Sequence, residues 1–391
     1  VAFFAEILID DFDGASRTMF QLINRINPAQ FTYRFIYGDG PDTISQSDGI
    51  KVPTIPLPIN KGYKMALPIL AKGRLTRFLK QFQPQVIHIA TPSALGAFAV
   101  NYAQKHNIPV LSIYHTHFIS YIPYYFRTLP MLINMATALV VKTQRKFYNR
   151  CTVIYVPSQS ICTELIQLGI KPTLLKLWQR GIDTTLFRPQ KRSAAYVQQL
   201  TGNSQKNILF ASRLVWEKNL QTLINIYHLL QAQHLPYNLI VAGNGYAMEA
   251  AKQAMPGAVF TGTLPHQQLA VLYASADVFV FPSVSETFGN VVLEAMAAGL
   301  PCIVANGGGS RDFITNGTNG FICEANNAQG YINQIKEIIQ NEQLRNTFSQ
   351  AGLQLSKTFS WQQLAATYFA EVTQLTKHTH SAANAVNLPH Q

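Results

Sequence analysis

Charge is scarce in this sequence, and acid is the scarcer sign. Asp and Glu number 19 in 391 residues, and all charged residues together make 13% of the chain, about half the usual share of roughly 25%. Between Asp48 and Glu164 there is no acidic residue at all. Cysteine is also sparse. Cys151, Cys162, Cys302 and Cys323 stand far apart with no C-x-x-C pair, which argues against a disulfide framework or structural zinc and fits a reducing compartment. Long apolar runs are missing too: the best candidate, residues 131–141, is interrupted by Asn134 and Thr137 and falls short of the ~20 residues that span a bilayer. No signal peptide is legible, because Val1 opens directly into a strand-like stretch that meets Asp10 and Asp11. The expectation is a cytoplasmic protein.

What is present is a large apolar content, 48%, in a chain long enough for two domains. The charge that exists is lopsided. The net charge is +12, and nearly all of it falls in residues 1–180. An imbalance of that kind attracts anions such as nucleic acid, anionic lipid or a phosphorylated substrate. A basic surface kept for solubility is the plainer alternative.

Short apolar strands alternate with helical patterns in both halves, which marks α/β architecture. The strand-like runs are 1–8, 35–37, 86–89, 110–114, 138–141 and 152–156 in the first half. In the second they are 207–211, 237–242, 258–260, 278–280, 302–305 and 320–323, separated by helices from Asn219, Gln267, Asn290, Ala328 and Asn341. Two doubly wound parallel-sheet domains are the simplest account. They divide as 1–180 and 181–358, the join falling where Gly, Asp and Pro accumulate in RGIDTTLFRP. The segment 377–391 is polar, lacks periodicity and reads as disordered.

Several segments carry chemistry. In FPSVSETFGNVVLEAMAAG (281–299) a strand runs into a polar loop, turns at Gly289-Asn290 and opens a helix, with Asn290 read as its N-cap. The exposed N–H groups there suit an anion. Glu286 before the turn and Glu294 one helical turn after it can accept hydrogen bonds from sugar hydroxyls. An ordinary capped helix with two solvated Glu is the bland alternative. In SRLVWEKN, Arg213 and Lys218 follow a buried strand, where they can clamp a diphosphate and stabilise it as a leaving group. Asp13-Gly14-Ala15-Ser16-Arg17 puts a glycine at a strand-to-helix turn, a weak phosphate signal. His115 and His117 end the strand 110–114, as ligand contacts or acid/base groups, or as ordinary structural histidines. The helix 69–82 has an apolar face that packs like any helix of a doubly wound domain, while Lys72, Arg74, Arg77 and Lys80 lie mostly elsewhere and can touch anionic lipid.

Taken together and in order, these motifs resemble the GT-B retaining glycosyltransferases of family 4, which include bacterial mannosyl- and glucosyltransferases. PSVSETFGNVVLEAMAAGLP is similar to the family's E-x7-E segment, SRLVWEKN to its R-x4-K motif, WQRGIDTTLFRP to its linker and VFTGTLPHQQLAVLYASADVFVFPS to its nucleotide-binding stretch. The first loop carries one glycine where many members have two, and His117 stands where relatives often have an acid. The resemblance implies two Rossmann-like domains facing a central cleft, with residues 359–376 forming a helix that crosses back to the first domain. It implies that Arg213 and Lys218 hold the diphosphate of GDP-mannose or UDP-glucose, and that Glu294 takes the ribose hydroxyls. Glu286 and the backbone of Phe288, Gly289 and Asn290 would grip the sugar, with Leu264 and Val291 also in the donor site. Gly14 would approach the phosphates and His115 the sugar near its anomeric carbon. Arg17, His117 and the basic helix residues would face a lipid or glycan acceptor or an anionic membrane surface. The resemblance implies no cofactor and no metal, the two cations doing a metal's work. HTHFISYIPYY and DGASRT look most like members that glycosylate lipids or build mannosides. The rivals are a nucleotide-sugar 2-epimerase of the same fold and a nucleic-acid-binding protein that sets Tyr121, Tyr124, Tyr125 and Phe126 beside Arg127. The donor motifs argue against both.

Overall fold

The computed structural model describes residues 1–10, 12–44, 47–57, 60–115, 119, 122 and 130–386. His117, with Tyr121, Tyr124, Tyr125, Phe126 and Arg127, lies outside the described residues. The chain forms two compact units. One comprises Val1–Pro157, Cys162–Trp178 and the chain from Gln362 onward; the other comprises Ser158–Ile161 and Gln179–Trp361.

The first unit is built on strands β1 (Ala2–Ile7), β2 (Arg34–Asp39), β3 (Thr43–Ile44), β4 (Ser47–Asp48), β5 (Ile50–Lys51), β6 (Thr54–Leu57), β7 (Asn60–Ala66), β8 (Ile87–Ile89), β9 (Val110–Ile113), β10 (Val153–Val156) and β11 (Leu175–Leu177). Its main sheet has the order β11-β10-β9-β8-β1-β2-β5, with every pair parallel. β8, β9 and β10 are buried at every position, as a sheet covered on both faces requires. The hairpin β6–β7 is antiparallel and was not legible as a strand pair, since Pro, Asn and Lys dilute its pattern. The helices are α1 (Gly14–Ile23), α2 (Pro68–Phe82), α3 (Ala94–Lys105), α4 (Ile133–Tyr148) and α5 (Gln159–Gln167).

Residues 138–141, expected as a strand, lie inside α4. Four apolar residues cannot distinguish strand from helix, and no Gly or Pro breaks the surrounding stretch. The helix buries Gln144, Phe147 and Tyr148, at helical spacing, and leaves Leu139 65% exposed.

The second unit contains α6 (Ala194–Thr201), β12 (Lys206–Ala211), α7 (Leu220–Ala232), β13 (Tyr237–Ala242), α8 (Met248–Ala254), β14 (Val259–Gly262), α9 (His266–Ser275), β15 (Val278–Phe281), α10 (Asn290–Ala297), β16 (Cys302–Ala305), β17 (Gly320–Cys323), α11 (Ala328–Gln340) and α12 (Glu342–Ser356). Its sheet is parallel throughout with the order β14-β13-β12-β15-β16-β17. The strands expected in this half are the strands found.

The last helix, α13, spans Trp361–Val386, and from Gln362 it packs as part of the first unit. Tyr368 Oη lies 2.7 Å from the buried His88 Nδ1, Trp178 Nε1 donates to the Leu364 carbonyl at 2.9 Å, and Lys176 pairs with Glu371 at 2.7 Å. The reading of 377–391 as disordered needs correction as far as Val386. SAANAV contains good helix formers and no Gly or Pro, so the preceding helix continues through it.

Candidate functional site

The chemistry gathers at the carboxyl ends of β12 and β15, which are neighbours in the second sheet although β13 and β14 intervene in sequence. After β12 the chain passes Arg213, which is exposed, and makes one 3-10 turn, Trp216–Lys218. Asn219 then adopts a left-handed conformation (φ 55°) and α7 begins. The Asn219 amide donates to the carbonyls of Pro282 (3.1 Å) and Ala325 (2.9 Å), tying this turn to the loop after β15. Lys218 is therefore held, 4% exposed, with its ammonium on the Glu286 carboxylate and 3.3 Å from Ser285 Oγ. Ser285 Oγ is in turn 3.2 Å from Ser283 Oγ. A cation this buried needs such partners.

The loop from β15 enters α10 through Gly289, and here one expectation is corrected. The cap is Gly289, at φ 91° with no side-chain cap hydrogen bond, and Asn290 is the first helical residue. The reason is steric, because a Cβ on residue 289 would sit 2.3 Å from Ser310 Oγ and a positive φ strains any residue with one. A glycine cap brings no side-chain acceptor of its own to the first-turn N–H groups, which suits an anion site. Asn290 Oδ1 and Ser310 Oγ are buried with no hydrogen-bond partner among the described residues. Glu294 sits in the next turn of α10, 6% exposed. Phe288 contributes only backbone, since its ring is buried against Phe313 (centroids 4.8 Å apart). Val291 is half-buried in the first turn, and Leu264 is half-buried in the loop after β14.

Sequence reasoning missed the support beneath this loop. The Gly309 N–H donates to the Glu286 carbonyl at 2.7 Å. A Cβ on Gly308 would lie 2.5 Å from the Val284 carbonyl oxygen, and one on Gly309 2.3 Å from that of Thr287. Three consecutive glycines after a strand, Gly307 to Gly309, were the available signal.

In the first unit, Gly14 opens α1 at the end of the β1 loop. Asp13 caps that helix by accepting from Ser16 N (2.8 Å) and also accepts from Tyr63 Oη (2.8 Å). Arg17 is half-buried in the first turn. His115 follows β9, 8% exposed, so it and Gly14 stand at the carboxyl-end edge of one sheet with β8 between their strands. On α2, Ala71, Leu75 and Leu79 are buried while Lys72, Arg74, Arg77 and Lys80 are exposed; the apolar face packs within its own unit. Among the described residues, no helix is long and apolar enough to cross a membrane.

Two α/β units, each built on a parallel doubly wound sheet, have the fold of a GT-B glycosyltransferase. The chain belongs to the family 4 glycosyltransferases: residues 12–186 match the Glycosyltransferase Family 4 model, and residues 194–355 match that of the Glycosyl transferases group 1. A GDP-mannose-dependent alpha-mannosyltransferase of Corynebacterium glutamicum is 28% identical over 97% of this chain and 88% of its own. The sulfoquinovosyl transferase SQD2 of Arabidopsis thaliana is 29% identical over 82% of this chain, which spans 61% of that protein. An alpha-monoglucosyldiacylglycerol synthase of Streptococcus pneumoniae is 27% identical over 66% of this chain and 59% of its own. Among solved structures, sucrose-phosphate synthase from Thermosynechococcus elongatus aligns with a TM-score of 0.74 at 19% identity, covering 97% and 99% of the two chains. Anabaena HepE with UDP and glucose aligns at 0.72 and 18%, covering 95% and 98%.

Proposed function

We propose that this glycosyltransferase moves a mannosyl or glucosyl group from GDP-mannose or UDP-glucose to a hydroxyl of a membrane lipid or glycan, with retention and without a metal. The observation that carries the reading is the meeting of Lys218 and Glu286 at adjacent strand ends, beside the glycine-capped N-terminus of α10. Arg213 and Lys218 hold the diphosphate, Glu294 accepts from the ribose hydroxyls, and Glu286 with the backbone of residues 288–290 holds the sugar. Leu264 and Val291 offer apolar contact to the nucleoside side of the donor. In the first unit, the Gly14 turn is read as a phosphate contact and His115 as a contact of the donor sugar.

In the reaction, the bond between the anomeric carbon and the phosphate oxygen breaks with its electron pair passing to the diphosphate. The two cations offset that charge, Lys218 from a buried position where water screens poorly. The acceptor oxygen bonds to the same carbon, and its proton passes to the phosphate oxygen being released, which gains basicity as the bond breaks. The names of the mannosyltransferase and glucosyldiacylglycerol synthase relatives support the sugar and acceptor classes.

The site of action in this reading is the cytoplasmic face of an anionic membrane, and surface character supports the membrane part of it. Near the exposed cations of α2, Ile69 and Leu70 are 78% and 68% exposed; Met131, Met135 and Leu139 are 84%, 65% and 65% exposed on or beside α4. Exposed apolar side chains among cations suit a headgroup boundary. The test is hydrolysis of UDP-glucose, GDP-mannose, UDP-galactose and UDP-N-acetylglucosamine in EDTA, with and without anionic vesicles. One donor should turn over, and Lys218→Ala and Glu286→Ala should abolish it. Absence of turnover and of binding for every donor would refute the reading.

A further inference from the structure

Tyr246 belongs to none of the motifs above, yet it stands in the path of any ligand that reaches from Leu264 to Lys218. β13 lies between β12 and β14. The three strands end level, with Ala211 beside Ala242 and Ala242 beside Gly262. A ligand with one end at the loop after β14 and the other at the loop after β12 spans two strand spacings, about 10 Å. It must pass over the loop that follows β13.

That loop is mostly backbone. Gly243 has φ 127°, and a Cβ there would lie 1.8 Å from the Ser212 carbonyl oxygen; a Cβ on Gly245 would lie 2.3 Å from that of Leu214. The glycines let the loop lie flat against its neighbour, and Tyr246 is the bulky side chain it raises. The ring is 65% exposed, but its far end is held. The Tyr246 hydroxyl donates to the Glu217 carboxylate, itself 5% exposed, and accepts from Trp216 N at 3.3 Å. Both partners belong to the turn that presents Lys218. The ring's rotamer freedom is thus already restricted before any ligand arrives, so little ordering cost remains on binding.

We infer that Tyr246 is a binding residue for the nucleoside half of the donor, its exposed face stacking on the base while Lys218 takes the diphosphate. This rests on the donor-site reading and extends it to the base. An aromatic face fixed in this way is sequence-tolerant, accepting a purine or a pyrimidine.

The experiment is calorimetric titration of UDP, GDP and inorganic pyrophosphate into wild type, Tyr246→Ala and Tyr246→Phe, with thermal unfolding as a check of folding. Tyr246→Ala should weaken the tighter-binding nucleoside diphosphate by about five- to a hundredfold and leave pyrophosphate within about twofold. Tyr246→Phe keeps the ring without its anchor and should lose much less. Should Tyr246→Ala fail to fold, Tyr246→Leu carries the same expectation. Unchanged nucleoside diphosphate binding in the truncated variant overturns the inference. So does an equal loss for pyrophosphate, because Tyr246 would then act only through the Glu217–Lys218 turn. Folded wild type that binds neither nucleoside diphosphate overturns the donor-site reading and this inference with it.

Discussion

Lys218 and Glu286 are paired with each other, and that has consequences for both. Each is assigned a different part of the ligand, so a diphosphate arriving at Lys218 competes with the Glu286 carboxylate already there. Glu286→Gln keeps the shape of the side chain and removes its charge. UDP or GDP alone should then bind several-fold tighter, while turnover of the sugar donor falls at least tenfold; titration and initial rates check the two arms. Gly289 makes a second residue-scale prediction. At φ 91°, with Ser310 Oγ in the way of a Cβ, Gly289→Ala adds backbone strain of about 1–3 kcal/mol and displaces the first turn of α10. Denaturant unfolding should show the lost stability, and the donor should no longer saturate. Gly317 also has a positive φ (76°), but a Cβ there would meet nothing within 4 Å, so Gly317→Ala serves as the control for strain without collision.

At the scale of elements, α13 is held to the first sheet by a polar contact in an apolar setting. His88 is fully buried between Phe3 (ring centroids 4.1 Å apart) and Tyr368, and burial depresses its pKa from 6.5 to about 3. A depressed pKa means the unfolded chain takes up the proton more readily. The stability that His88 contributes is therefore complete above about pH 6.5 and is lost as pH falls toward 3. Denaturant unfolding at pH 7 and pH 4.5 should show a drop in the wild type that His88→Phe lessens. Tyr368→Phe removes the partner of His88 Nδ1 and should cost about 1–3 kcal/mol at pH 7. The same scale shows where local pattern stops being informative. The run 138–141 satisfies a buried strand and a helix equally. The choice fell to the helix because neighbours four residues apart, Gln144 and Tyr148, have a core to enter and the run itself does not.

For the whole molecule, the asymmetry of charge is the property with the widest reach. The cations of α2 point away from its buried face, in a stretch without acids. Reversing Lys72, Arg74, Arg77 and Lys80 to Glu should therefore abolish sedimentation with anionic vesicles while leaving the unfolding midpoint within a few degrees, since surface charges contribute little to stability. Raising salt should weaken vesicle binding of the wild type in the same direction.

Much of this protein was legible from its residues in order. Alternating apolar runs and helical periods determine two doubly wound units, because buried parallel strands and amphipathic helices each impose a local period. The spacing of Arg213 with Lys218, and of Glu286 with Glu294, places each pair on a single loop or loop-to-helix turn. Tertiary structure decided which groups touch. Lys218 and Glu286 are 68 residues apart and meet only because β12 and β15 are neighbours in a sheet whose strand order departs from chain order. The loop after β16, the strand beside β15, brings glycines 307–309 beneath Glu286, sets Ser310 against Gly289 and packs Phe313 on the Phe288 ring. Periodicity is written along the chain, whereas contact between loops depends on strand order, which no local spacing records.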